Sequence, residues 1–159
     1  MESILKLLGK NGRLTPEQLA DILGRETAAV AADIKKLEND NIILGYKAII
    51  DWERSESEVV TALIEVKVTP QRGEGFELIA DRICKFDEVE SLYLMSGGYD
   101  FSVLLAGRTM REVALFVALK LAPIEGVSGT ATHFILKKYK DGGVLFANDP
   151  EEQERAYLV

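Results

Sequence analysis

Apolar positions recur along the first forty residues with the period of a helix, and from Glu58 onward with the period of a strand. "ESILKLLGKNG" places Ile4, Leu5, Leu7 and Leu8 on one helical stripe, and Asn11-Gly12 ends it. In "LTPEQLADILG", Thr15 caps, Pro16 suits the first helical position, and Gln18 stands where a capping box takes Glu or Gln. Leu19, Ile22 and Leu23 form the buried face of this second helix, and Gly24 breaks it. The spacing of Val30, Ile34 and Leu37 predicts a third helix from about Thr27 to Asn39. "NIILGYKAIIDW" then reads as extended chain with a turn at Gly45.

The second period begins in "EVVTALIEVKVT". Val60, Ala62, Ile64, Val66 and Val68 point one way, Thr61, Leu63, Glu65, Lys67 and Thr69 the other, and Pro70 ends the strand. "GEGFELIADRICKF" is an amphipathic helix with Phe76, Ile79, Ile83 and Phe86 as its stripe; Cys84, at helical spacing in the same run, is expected to be a buried thiol. "EVESLYLMS" and "YDFSVLLAG" are strands joined at Gly97-Gly98, where glycine is expected to supply a hairpin's positive φ. "TMREVALFVALKL" is a second helix, capped by Thr109 and stopped near Pro123, and "GVSGTATHFILKKYK" is the last strand. The order β-α-β-β-α-β is ferredoxin-like, with two helices on one face of a four-stranded antiparallel sheet.

The fold class is therefore α+β. Residues 1–51 form an N-terminal helix-turn-helix, winged-helix-like domain with a linker strand, and residues 52–159 a C-terminal ferredoxin-like domain with an acidic tail, "NDPEEQERAYLV". The strands carry apolar residues on both sides, including Leu63, Leu92, Leu94, Val103 and Leu105, so the sheet face without helices is expected to be buried against another chain. A tail helix started by Asp149-Pro150 is the rival cover.

The 159 residues are 47% hydrophobic and 28% charged, in the range of a soluble globular protein. A net charge of −7 does not advertise a nucleic-acid binder, so such a reading must rest on local features. One cysteine forms no internal disulfide, and one histidine beside it leaves little for a zinc site; no metal or cofactor is expected. No apolar run reaches the ~18 residues of a membrane span, and "MESILKLLGKNG" lacks a signal-peptide cleavage pattern, so the expectation is cytoplasmic with no membrane partner.

Helix, glycine turn, helix is the helix-turn-helix pattern, whose last helix enters the major groove. The same spacing fits a small three-helix packing module, and spacing alone does not choose. From Pro16 to Asn39, three basic residues face five acidic ones, a net of −2. The front of the third helix, "TAAVAAD", offers methyl groups, which touch thymine but cannot make the bidentate contacts that read guanine or adenine. Arg13, Arg25, Lys35, Lys36 and Lys47 are the candidate phosphate contacts, with Thr27 at the start of the third helix. His133, the single histidine, reads as a surface or interface residue, and Trp52 as packing.

A helix-turn-helix joined by a strand to a β-α-β-β-α-β domain resembles the Lrp/AsnC family of feast/famine transcription regulators. "IKKLENDNIILGYKAIID" is similar to the family's Arg-Leu-Glu-x-x-Gly-x-Ile-x-Gly-Tyr passage, "LMSGGYDFSVLL" to its Gly-Asp-Tyr-Asp hairpin, and "EGVSGTATHFILKKYK" to its closing strand. Asp33 stands where many relatives carry a basic residue, and Gly98 where the hairpin's first Asp usually sits. The resemblance implies operator DNA as a partner of the first domain. It implies that the second domain assembles a homodimer or a larger homo-oligomer, up to an octamer, and binds a small effector, often an amino acid, between subunits. It points to Ser96, Gly97, Gly98, Tyr99 and Asp100, with Thr130 and Thr132 on the closing strand, as the effector site. There Asp100 would take an ammonium and backbone amides a carboxylate.

The expected function is thus a cytoplasmic, oligomeric DNA-binding regulator that senses a small metabolite, and not an enzyme. One rival is a ligand-binding oligomer that has lost specific DNA recognition, motivated by the acidic balance and the alanine-rich third helix. Another is an enzyme resembling the tetrapyrrole decarboxylases that share this architecture; one histidine and the lack of an acid–base cluster speak against it.

Overall fold

The computed structural model describes residues 1–55, 57–69 and 75–146, and the tail "NDPEEQERAYLV" lies outside them. The chain forms two compact units, Met1–Ile50 with the stretch from Lys140, and Asp51–Tyr139.

The first unit opens with α1 (Glu2–Lys10), α2 (Pro16–Leu23) and α3 (Thr27–Asn39). The start of α2 follows its sequence. Thr15 Oγ1 accepts from the Gln18 amide at 3.3 Å, and Gln18 Oε1 accepts from the Thr15 amide at 3.0 Å, so the capping box is closed in both directions. At its end Gly24 adopts φ 62°, a left-handed conformation that glycine reaches without a Cβ clash. Ile4, Leu19, Ala20, Val30 and Leu37 are buried together, one or two from each helix. A fully buried Ile, Leu or Val contributes roughly 1.5–3 kcal/mol. Leu19→Ala would open a cavity and cost about 2–5 kcal/mol. The extended segment after α3 is anchored by the Tyr46 hydroxyl, which donates to Glu38 Oε1 at 3.0 Å. A short hairpin, β5 (Lys140–Asp141) and β6 (Val144–Leu145), turns at Gly142 and Gly143, both with positive φ.

The second unit runs β1 (Val60–Val68), α4 (Phe76–Ile83), β2 (Val89–Leu94), β3 (Phe101–Gly107), α5 (Met110–Phe116) and β4 (Val127–Phe134). The antiparallel sheet has the order β2-β3-β1-β4, the ferredoxin-like arrangement. Thr109 caps α5 by accepting from the Glu112 amide at 3.1 Å, and a π-helical turn, Val117–Leu121, prolongs it. The core lies between helices and sheet: Ala62, Ile64 and Val66 of β1 and Phe101, Val103 and Leu105 of β3 meet Ile79, Ile83, Val113, Phe116 and Leu121. Phe76 meets Phe101 edge-on at 5.9 Å, and Phe86 meets Phe116 at 5.2 Å.

The register separates the two sheet faces. Leu92, Val103, Ile64 and Thr132 form one cross-strand row, and Leu94, Phe101, Val66 and Thr130 the next, both on the helix side. Ser91, Leu104, Leu63 and His133 form a row on the open side, followed by Tyr93, Ser102, Glu65 and Ala131. Of the five residues expected to make the second face apolar, only Leu63 lies there. Val103 and Leu105 are core residues, because β3 is central and its odd positions face the helices. The open face has an apolar centre, Leu63 beside Leu104, and a polar edge where His133 Nε2 lies 3.3 Å from Glu65 Oε1.

Two further expectations are corrected. Cys84 is exposed: α4 ends at Ile83, and the next residue leaves the stripe set by Ile79 and Ile83. Neither Gly97 nor Gly98 has positive φ, because the β2–β3 connection is a wider loop than a two-residue hairpin and does not pass through the left-handed region there.

Candidate functional site

The β2–β3 loop is built around Asp100. Its carbonyl accepts from the Met95 amide at 2.7 Å, closing the loop, and its amide donates to the Val66 carbonyl at 3.0 Å. Its Oδ2 accepts from the Val68 amide at 2.8 Å, so the half-buried carboxylate fastens the loop to the end of β1. The sequence assigns this side chain only a ligand's ammonium and does not announce the long-range contact. An aspartate's reach to a strand thirty-two residues earlier has no local signature. A carboxylate has about four lone-pair sites, so one amide leaves acceptor capacity.

Ser96, Gly97 and Gly98 are exposed, and Tyr99 is half-buried. A Cβ added at Gly97 or Gly98 would meet nothing within 4 Å. Negative φ and open space mean that the fold does not require glycine at either position; what glycine does there is leave the peptide groups bare.

Thr130 and Thr132 sit half-buried on β4, at the sheet edge. Thr130 is opposite Val66 on one side of β1, and Phe101, next to Asp100, is opposite Val66 on the other. Strands lie about 4.8 Å apart, so the loop base and Thr130 are separated by roughly 10 Å across β1. Thr132 lies one row further in, beside Ile64. The loop and Thr130 thus share one end of the sheet, while the cavity of 280 Å³ between β3 and α5 lies elsewhere, lined by Leu105, Val113, Phe116 and Leu119. At its rim Lys120 pairs with Glu88, a hydrogen bond that holds the Glu88 carboxyl below the usual carboxylate range.

In the first unit, Arg13, Lys35, Lys36 and Lys47 are exposed, and Thr27 is half-buried as the first residue of α3. Ala28, Ala29 and Ala32 are the other exposed residues of the first two turns of α3. Arg25 is engaged: its Nη2 lies 2.8 Å from Asp33 Oδ2. Among the described residues, no group of three or more His, Cys, Asp or Glu is placed to hold a metal, and no helix is long and apolar enough to cross a membrane.

Two family models match the chain, a winged helix-turn-helix DNA-binding domain over residues 2–43 and the Lrp/AsnC ligand binding domain over residues 61–145. An uncharacterised helix-turn-helix-type transcriptional regulator of Bacillus subtilis, YugG, is 47% identical over 151 residues, covering 94% of this chain and 91% of that protein. The leucine-responsive regulatory protein of Haemophilus influenzae is 23% identical, covering 89% and 85%. A transcriptional regulator from Neisseria meningitidis, solved as a complex with L-methionine, superposes with a TM-score of 0.71 at 27% identity, covering 87% of this chain and 89% of that one. With a helix-turn-helix before a ligand-binding ferredoxin-like domain, and with a relative of such identity over nearly its full length, the chain belongs to the Lrp/AsnC family of DNA-binding transcriptional regulators.

Proposed function

We propose that the effector of this regulator is an amino acid bound at the β2–β3 loop, and that the protein acts as a homodimer or larger homo-oligomer on operator DNA in the cytoplasm. The observation that carries the effector reading is the pair of bare glycines. They serve no backbone requirement, and they are exposed in the loop that Asp100 closes. Peptide donors suit a ligand carboxylate, and Asp100 suits an ammonium. Ser96, Tyr99 and Thr130 flank this end of the sheet, with Thr132 one row further in. The methionine complex of the Neisseria relative and the leucine-responsive name of the Haemophilus one support the ligand class. On the DNA side, Arg13, Thr27, Lys35, Lys36 and Lys47 are the contacts, and binding is phosphate-driven, with avidity from linked domains.

The effector test is a thermal-shift screen of the twenty amino acids on the wild type and on Gly97→Val. The variant should melt where the wild type does, since its φ suits a side chain and nothing lies within 4 Å. It should also lose the ligand's stabilisation, because the added isopropyl group covers the peptide groups. A ligand that stabilises both proteins equally would place the effector elsewhere. On the DNA side, Lys35→Glu combined with Lys36→Glu should abolish binding to the protein's own promoter; an unchanged footprint would remove α3 from the contact surface.

A further inference from the structure

Arg25 leads into α3 from the Gly24 turn, and Asp33 stands in the second turn of that helix. Arg25 Nη2 lies 2.8 Å from Asp33 Oδ2, and the two side chains are 37% and 22% exposed. A guanidinium binds carboxylates and phosphates through the same planar fork of N–H donors. Asp33 therefore offers Arg25, from within its own domain, the kind of acceptor that a DNA phosphate would offer from outside. The cations of α3 itself, Lys35 and Lys36, are both exposed, and neither is ion-paired among the described residues.

We infer that Asp33 withholds Arg25 from DNA: the carboxylate acts as an internal phosphate mimic and sets the strength of sequence-independent binding by the helix-turn-helix. Two effects act in the same direction. Arg25 is neutralised and held along α3, so one cation fewer displaces counterions from the duplex. Asp33 also adds a negative charge to the surface that must approach phosphates. The pair is partly exposed, and pairs of that kind are weak. Asp33 thus moderates binding and does not abolish it. In a domain with few exposed cations and an α3 front of mostly methyl groups, one phosphate contact is a sizeable share of non-specific affinity.

The experiment measures binding of full-length protein to a random-sequence duplex across a salt series. The proteins are wild type, Asp33→Asn, Arg25→Ala and the double variant. Asp33→Asn should bind about two- to fivefold more tightly per domain, with a plot of log affinity against log salt steeper by about 0.9. Arg25→Ala alone should stay within about twofold of wild type at unchanged slope, because its guanidinium is already occupied. The gain from Asp33→Asn should vanish in the Arg25→Ala background. Arg25→Ala that loses several-fold in affinity and flattens the slope would show that Arg25 already touches DNA, and would overturn the restraint. So would a gain from Asp33→Asn that survives without Arg25, since that is only relief of general repulsion. If Asp33→Asn melts lower than wild type, Arg25→Ala decides alone by the same criterion. Failure of every variant to bind at about 50 mM salt would overturn the DNA-binding role and the restraint together, whereas the other adverse outcomes leave that role intact.

Discussion

The Val68 amide donates to Asp100 Oδ2 across 2.8 Å, so the residue that closes the β2–β3 loop also fixes the far end of β1. A residue at a binding loop would ordinarily be assigned to the ligand or to the turn. Asp100 is joined to a strand outside its own hairpin, and that makes its carboxylate structural, in the same loop as the exposed Gly97 and Gly98.

Asp100→Ala should therefore destabilise the protein without any ligand present. A hydrogen bond to a charged group is worth about 1.5–3 kcal/mol, and denaturant unfolding should show a loss in that range at unchanged m-value. Asp100→Asn keeps an acceptor oxygen and should lose less. Because the residue supports the fold, its ligand role must be read from the ligand-induced shift in melting temperature, not from the melting temperature itself. Equal stability of wild type and Asp100→Ala would mean that the Val68 contact contributes nothing.

The same substitution should have opposite consequences at two glycines. Gly126 has φ 93°, and a Cβ there would lie 2.8 Å from Ile79 Cδ1. Gly126→Ala should cost at least the roughly 1–2 kcal/mol of a left-handed backbone with a Cβ, and more if Ile79 cannot shift. Gly97→Ala should be neutral or slightly stabilising, because alanine reduces the freedom of the unfolded chain. Thermal melts of the two variants make the comparison. A destabilised Gly97→Ala would restore the view that the loop itself needs glycine.

Much of the fold was legible because short-range rules fix it. The capping box at Thr15 and Gln18, the Gly24 stop and the Thr109 cap all act within four residues, and each is observed. The ferredoxin-like order followed from the alternation of periods. What failed depends on contacts distant in sequence. Alternation shows that Leu63 and Val103 each have a side, but only the register shows that the sides differ. Cys84 was misplaced because one residue past Ile83 and five past Ile79 lies off their stripe, although its backbone is still helical and its amide bonds the Ala80 carbonyl. The engagement of Arg25 by Asp33, eight residues on, is likewise a contact that local spacing does not announce.

The Tyr46 hydroxyl, which donates to Glu38 Oε1 at 3.0 Å, gives a pH-dependent prediction. Partial desolvation raises the phenol's pKa, and the hydrogen bond to Glu38 and its charge raise it further. The folded pKa thus exceeds the unfolded value of about 10. The contribution is complete below that value and is lost as pH rises through the higher folded one. Tyr46→Phe should cost about 0.5–1.5 kcal/mol at neutral pH. The gap between the two proteins should narrow in alkaline solution. A gap that is constant through pH 11 would mean that the hydroxyl is not the source of the difference.

The last prediction concerns the open face of the sheet. Leu63 and Leu104 are cross-strand partners at its centre, with Ser91 and His133 at the ends of the same row. Both leucines point away from the helices, so neither fills the core of the unit. If this face packs against a second copy, Leu104→Asp places an uncompensated carboxylate in the joint, and burying such a charge costs several kcal/mol. Any symmetric pairing doubles the penalty, since the substitution is present on both copies. Light scattering on the full chain should then show the mass fall toward that of a monomer at micromolar concentration. Circular dichroism should keep the helix and strand signals of the wild type. Leu104→Met, which keeps the apolar character, should leave the mass unchanged. If Leu104→Asp retains the wild-type mass, the chain does not assemble through this face, and the exposed Leu115 of α5 and Leu119 of the π-helical turn become the next surface to charge.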